Sequence, residues 1–163
     1  MRILLPIVFA LAALCMASCN DSSCYDNGSS LPLAALYIGN SQQTVTCLTI
    51  MGIGAPGDSL LADSSALKEI YLPLRASVGT TGYAISRWVG VGTPMAKELH
   101  DTLTLNYEAI AYFHSAECGA MFNFDIHNVS CTHNGIDSVV LLTPLVTNSR
   151  TPSLRIHFTD FSQ

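Results

Sequence analysis

From residue 30 onward, apolar and polar residues alternate over short runs. Ile70, Leu72 and Leu74 are separated by Tyr71 and Pro73, and Leu103 and Leu105 alternate with Thr102, Thr104 and Asn106. A period of two places every second side chain on one face, the mark of a half-buried strand. The same pattern predicts strands over 34–39, 44–52, 83–89, 121–129, 138–142 and 154–158. That makes about eight strands, separated by turn signals such as Gly39-Asn40, Pro56-Gly57, Gly79 to Gly82 and Asn134-Gly135. Many short strands without intervening helices predict an all-β fold, a single antiparallel β-sandwich, immunoglobulin-like or related. The one helical expectation is a turn or two over 95–99, where Thr93-Pro94 supplies a start with Pro at the first position.

Before residue 19 the pattern is different. Arg2 precedes a mostly apolar run over 3–14, followed by the small residues Ala17 and Ser18. The run is shorter than the roughly 20 residues a bilayer span needs, and with its charged start it reads as a secretion signal over 1–18. Met16-Ala17-Ser18-Cys19 looks like the lipobox of bacterial lipoproteins, in which a lipidated Cys follows a small residue and becomes the new N-terminus. Cys15 fits less well, because bulky Leu14 would precede the cut. The expected organisation is a signal over 1–18, a lipidated N-terminus and short tether over 19–30, and one domain over 31–163.

Charge narrows the partners. Cleavage would remove only Arg2, leaving 6 Lys plus Arg against 12 Asp plus Glu, a net charge of −6. Such a surface disfavours nucleic acid, whose phosphates call for basic residues. It equally disfavours adhesion to anionic lipid, so membrane attachment falls to the lipid on Cys19.

Four further thiols, Cys24, Cys47, Cys118 and Cys131, remain in the exported part. An even number in an oxidising compartment suggests two disulfides among three possible pairings. Cys118 with Cys131 is disfavoured: their hairpin would turn near Phe124, yet Phe122, Phe124 and Ile126 alternate through that point without Gly or Pro.

Gly57-Asp58-Ser59-Leu60 spells the nucleophile block of GDSL esterases. A serine nucleophile needs a base within hydrogen-bond reach and oxyanion donors. The family's C-terminal Asp-x-x-His has no counterpart, since Leu154 stands three before His157 and Ser130 three before His133. A β-turn over Ala55-Pro56-Gly57-Asp58, with Pro second and Gly third, explains the segment instead. His127, Cys131 and His133 would share one face of an unbroken strand, but about 13 Å separates the first two at 3.3 Å per residue, too far for one ion. No metal site, cofactor loop or coherent catalytic set is expected.

The segments Cys19-Asn20-Asp21-Ser22-Ser23-Cys24-Tyr25-Asp26-Asn27-Gly28-Ser29-Ser30-Leu31-Pro32-Leu33-Ala34, Gly52-Ile53-Gly54-Ala55-Pro56-Gly57-Asp58-Ser59-Leu60, Cys118-Gly119-Ala120-Met121 and Ile136-Asp137-Ser138-Val139 resemble a lipoprotein family of the Bacteroidota, domain of unknown function 6452. The resemblance covers nearly the whole exported chain and carries no enzymatic assignment. It implies that Cys24 pairs with Cys118, leaving Cys47 with Cys131, and that an outer-membrane β-barrel is a natural partner. The reading is therefore a non-enzymatic envelope lipoprotein on the outer membrane, facing the periplasm, which binds or supports another envelope protein. Its competitors are an esterase using Ser59 with His133 or His157, and a carrier of a small ligand.

Overall fold

The computed structural model describes residues 30–115 and 119–161. In chain order the strands are β1 (Leu33–Ile38), β2 (Ser41–Gln42), β3 (Val45–Gly52), β4 (Leu60–Leu67), β5 (Glu69–Tyr71), β6 (Thr80–Val89), β7 (Lys97–Ser115), β8 (Gly119–Cys131), β9 (Ile136–Leu141), β10 (Leu145–Val146) and β11 (Leu154–Phe158). One sheet runs β2-β1-β11-β9, with β5 also paired to β1; the other runs β10-β8-β7-β6-β3-β4. Their inner faces meet in one apolar core. Leu36, Leu154 and Ile156 come from the first sheet, and Leu48, Ile50, Tyr83, Leu103, Leu105 and Ile126 from the second. Alternation dictates this arrangement, since burying every second residue of each strand satisfies both sheets at once.

The sandwich follows the expected pattern, with three local differences. Its pairings are antiparallel except β1 with β11, which run parallel from Ala34↔Leu154 to Ile38↔Phe158. No helix forms over 95–99. A tight turn held by Thr93 Oγ1 donating to the Gly90 carbonyl at 2.7 Å leads straight into β7, because Lys97 is already paired with Val89. The strand β4 falls where none is expected.

Strand lengths do not match, and this shapes the site. β6 pairs with β7 only from Val89↔Lys97 to Thr80↔Asn106, whereas β7 continues to Ser115 and pairs with β8 throughout. On the outer side, β10 reaches β8 only at Phe124 and Asp125. The far parts of β7 and β8 therefore project beyond the sandwich as a two-stranded arm.

The crossing between the sheets is pinned by one carboxylate. Asp101, buried on β7, accepts bonds from Thr132 Oγ1 at 2.7 Å and from the backbone N–H groups of Asn134 at 2.8 Å, Gly135 at 2.7 Å and Ile136 at 3.1 Å. Those residues carry the chain from β8 in one sheet to β9 in the other.

Candidate functional site

Three features converge at the arm end of the sandwich. The first is the arm's surface. Ala109, Ala111, Phe113, Phe122 and Phe124 extend the core-facing side of the sheet, paired as Ala109↔Phe124 and Ala111↔Phe122. Phe124 is buried against the Tyr107 ring in an edge contact of 5.4 Å and Ala109 packs against the core, but among the described residues the other sheet leaves Phe113 and Phe122 uncovered. Phe113 is 73% exposed, Ile110 41% and Phe122 38%.

The second feature is the point of chain entry. Ser30 is fully buried and its Oγ donates to Asn123 Oδ1 on β8 at 2.7 Å. The N-terminal segment thus joins the sandwich beside the arm.

The third is a cavity of about 390 Å³ at the base of the arm, lined by residues that include Ile53, Ala55, Ser59, Leu61, Leu74 and Arg75. Tyr83 lines one of its walls, and Tyr107 braces that wall through Arg75 and Thr81. The Tyr107 hydroxyl donates to the Arg75 carbonyl at 2.8 Å and accepts the Arg75 N–H at 3.0 Å. With its one proton so used, its 2.7 Å contact with Thr81 Oγ1 has the threonine as donor. Tyr83 donates to the Pro73 carbonyl at 2.6 Å. Burial pushes the Tyr83 phenol far above its ordinary value, so it remains a donor. Ile53 lies across β6 at Gly82, where a Cβ would stand 3.2 Å from Ile53 Cδ1. The missing Cβ at Gly82 leaves room for the Ile53 side chain in that position.

Ser59 lines this cavity, and no histidine lines it with Ser59. His133 Nδ1 lies 3.1 Å from the Ile136 carbonyl, while His157 stacks on Tyr37 with Nδ1 2.9 Å from the Gly39 carbonyl. The segment before Ser59 is a turn over Pro56–Asp58 in which Gly57 has φ 67° and ψ 27°, the left-handed conformation that glycine adopts without strain.

Cys19, Cys24 and Cys118 lie outside the described residues. Cys47 and Cys131 are both free thiols, which corrects the pairing implied by the family resemblance. Cys47 is on β3 and Cys131 on β8, with β6 and β7 between them. Three strand spacings are about 14 Å, against the roughly 7 Å limit between Cα atoms of a disulfide. The face expected to carry His127, Cys131 and His133 is also broken. The register shifts between Asn106↔Asn128 and Tyr107↔Ile126, so Cys131 and Val129 pack toward the core while His127 is exposed. Cys131 Sγ is 3.9 Å from His133 Nδ1, and among the described residues no three potential ligands gather around a metal position.

Residues 47–158 match a model of the family of unknown function DUF6452, and the chain belongs to that family. The match spans both the cavity and the arm. No curated protein and no solved structure matches the chain.

Proposed function

We propose that this DUF6452 protein is a non-enzymatic lipoprotein of the cell envelope that docks onto another envelope protein through its β7–β8 arm. The observation that carries this reading is the bare aromatic surface of the arm. Two strands alone are marginal in water, and clustered exposed apolar side chains rimmed by polar ones mark interaction sites. Aromatic anchors are the side chains that dominate binding at such sites.

The point of chain entry supports a membrane-fixed partner. Ten residues lie between Cys19 and Ser30, so the eleven steps from one Cα to the other span at most about 40 Å when fully extended. A lipid on Cys19 therefore tethers the arm close to the bilayer, on the outer membrane facing the periplasm. An outer-membrane β-barrel, held in the same membrane and presenting its periplasmic turns to the tethered arm, is the partner that fits. Ser59 without a histidine beside it in the cavity gives the esterase reading no support.

Crosslinking in intact cells followed by pull-down tests the proposal. It should recover an envelope protein above the background of a control lipoprotein, and Phe113→Asp should remove that protein from the eluate. Recovery of nothing above background, or unchanged recovery with Phe113→Asp, would contradict it.

A further inference from the structure

We infer that the cavity at the base of the arm binds a single-chain aliphatic carboxylate, with its chain among Ile53, Leu61, Pro73 and Leu74 and its head group on the Arg75 guanidinium. This goes beyond docking by the arm and does not depend on it. About 390 Å³ lies within the range of small-ligand sites, which are mostly apolar with a few placed polar groups. The side chains of Ile53, Ala55, Pro56, Leu61, Pro73 and Leu74 give this cavity that character.

Arg75 supplies the polar group, and its state points to an anion. Arg75 is exposed, and among the described residues its guanidinium donates only to carbonyls, with Nη1 3.4 Å from Gly54 O and Nη2 3.5 Å from Thr80 O. Both distances are at the outer limit of hydrogen bonding, and a guanidinium has five N–H donors to place. Among the described residues no carboxylate lies within ion-pair distance of it, although acids outnumber Lys plus Arg by 12 to 7 in the chain. The position is also set in advance. Tyr107 holds both the N–H and the carbonyl of Arg75, so binding an anion need not order the backbone behind the guanidinium. A carboxylate meets it with two parallel charge-assisted bonds, the arrangement a guanidinium favours. The exposed Ser59 hydroxyl at the wall offers one further donor. A single chain suits one modest cavity better than the two tails of a phospholipid.

The test titrates decanoate, decanol, acetate and phosphatidylcholine vesicles into the full chain carrying Cys19→Ala, following the backbone amides of Ile53, Ala55 and Gly82 by NMR. Decanoate should give saturable shifts at these amides, and decanol and acetate should each bind at least about tenfold more weakly, as expected for losing one charge-assisted contact or the chain. Arg75→Met should reduce decanoate affinity to that of decanol while leaving decanol unchanged. Ser59→Trp, which fills the cavity from an exposed loop position, should abolish both, with an unaltered thermal transition as the check on folding. The inference is overturned by no saturable decanoate shift, by equal binding in Arg75→Met or Ser59→Trp, or by vesicles shifting these amides where decanoate does not. Loss of envelope-protein capture by Phe113→Asp leaves this result untouched, so the two proposals fail separately.

Discussion

Replacing Asp101 with Ala tests whether one side chain holds the two sheets in register at the β8–β9 crossing. The carboxylate is 6% exposed and accepts four bonds, three of them from consecutive backbone N–H groups. After truncation, water can replace it at Asn134 and Thr132, which are exposed, but not at Gly135 and Ile136, which are buried. Two buried donors left without acceptors cost about 1–3 kcal/mol each, so the expected loss is about 4 kcal/mol. That lies in the range reserved for broken buried networks. Asp101→Asn keeps one acceptor oxygen but turns an NH₂ toward the remaining donors, and should recover about half of the loss. Thr132→Val removes one exposed partner and should lose about 1 kcal/mol. Urea unfolding followed by Trp88 fluorescence measures all three, with stability taken from midpoints at constant slope. A loss below about 1 kcal/mol for Asp101→Ala, at unchanged slope, would refute the reasoning, because a two-donor deficit could not be that small.

Other consequences follow from the same contacts. Tyr107→Phe removes the hydroxyl that ties Arg75 to Thr81; stability should fall by about 1–3 kcal/mol and the Arg75 amide should exchange with solvent faster, whereas unchanged exchange would count against the anchoring role. Cys47 and Cys131 should both be alkylated in unfolded but unreduced protein, while a non-reduced peptide map should join Cys24 to Cys118; a peptide joining Cys24 to Cys47 would exclude that pairing. In the folded protein, alkylation of Cys131 should rise with pH through a midpoint above that of an ordinary thiol, because burial first and Asp101 second push its pKa up. Cys19→Ala should release the domain, still folded, into the soluble periplasm, and persistent membrane association would contradict anchoring by lipid at that residue.

The sheets were legible where burial alternates strictly. In β6, Thr81, Tyr83 and Ile85 are buried between less buried neighbours, and in β11 Leu154, Ile156 and Phe158 repeat the pattern. Strand β4 was not legible, because it is an edge strand that fully buries only Ala62 and carries Ser64 at φ 42° with an irregular register against β3. The helix expected over 95–99 rested on local propensity, and pairing in the β6–β7 hairpin overrode it. The arm escaped notice for a different reason. Ala109-Ile110-Ala111-Tyr112-Phe113 is apolar on both faces, so it carries no period of two, and a continuous apolar run does not reveal that its strand outlasts its neighbours. The cavity was hidden too. Arg75, Tyr83 and Tyr107 come from separate stretches of chain, and only the register of β6 with β7 brings Thr81 and Tyr107 together. Ser59 was visible as part of a motif, yet its surroundings are set by Pro73 to Arg75 and by the loop lying over Gly82. The shared face assumed for His127, Cys131 and His133 was not legible either, since the register shift between Asn106↔Asn128 and Tyr107↔Ile126 changes which side chains share a face.

Docking by the arm is tested most directly by a photocrosslinking amino acid placed at position 113 in living cells, compared with one at the exposed position 137 on β9. Irradiation should produce a discrete adduct with an envelope protein from position 113 and none from position 137. Adducts with phospholipid alone, equal adducts from both positions, or no protein adduct from position 113 would contradict the assignment of the arm as the docking surface.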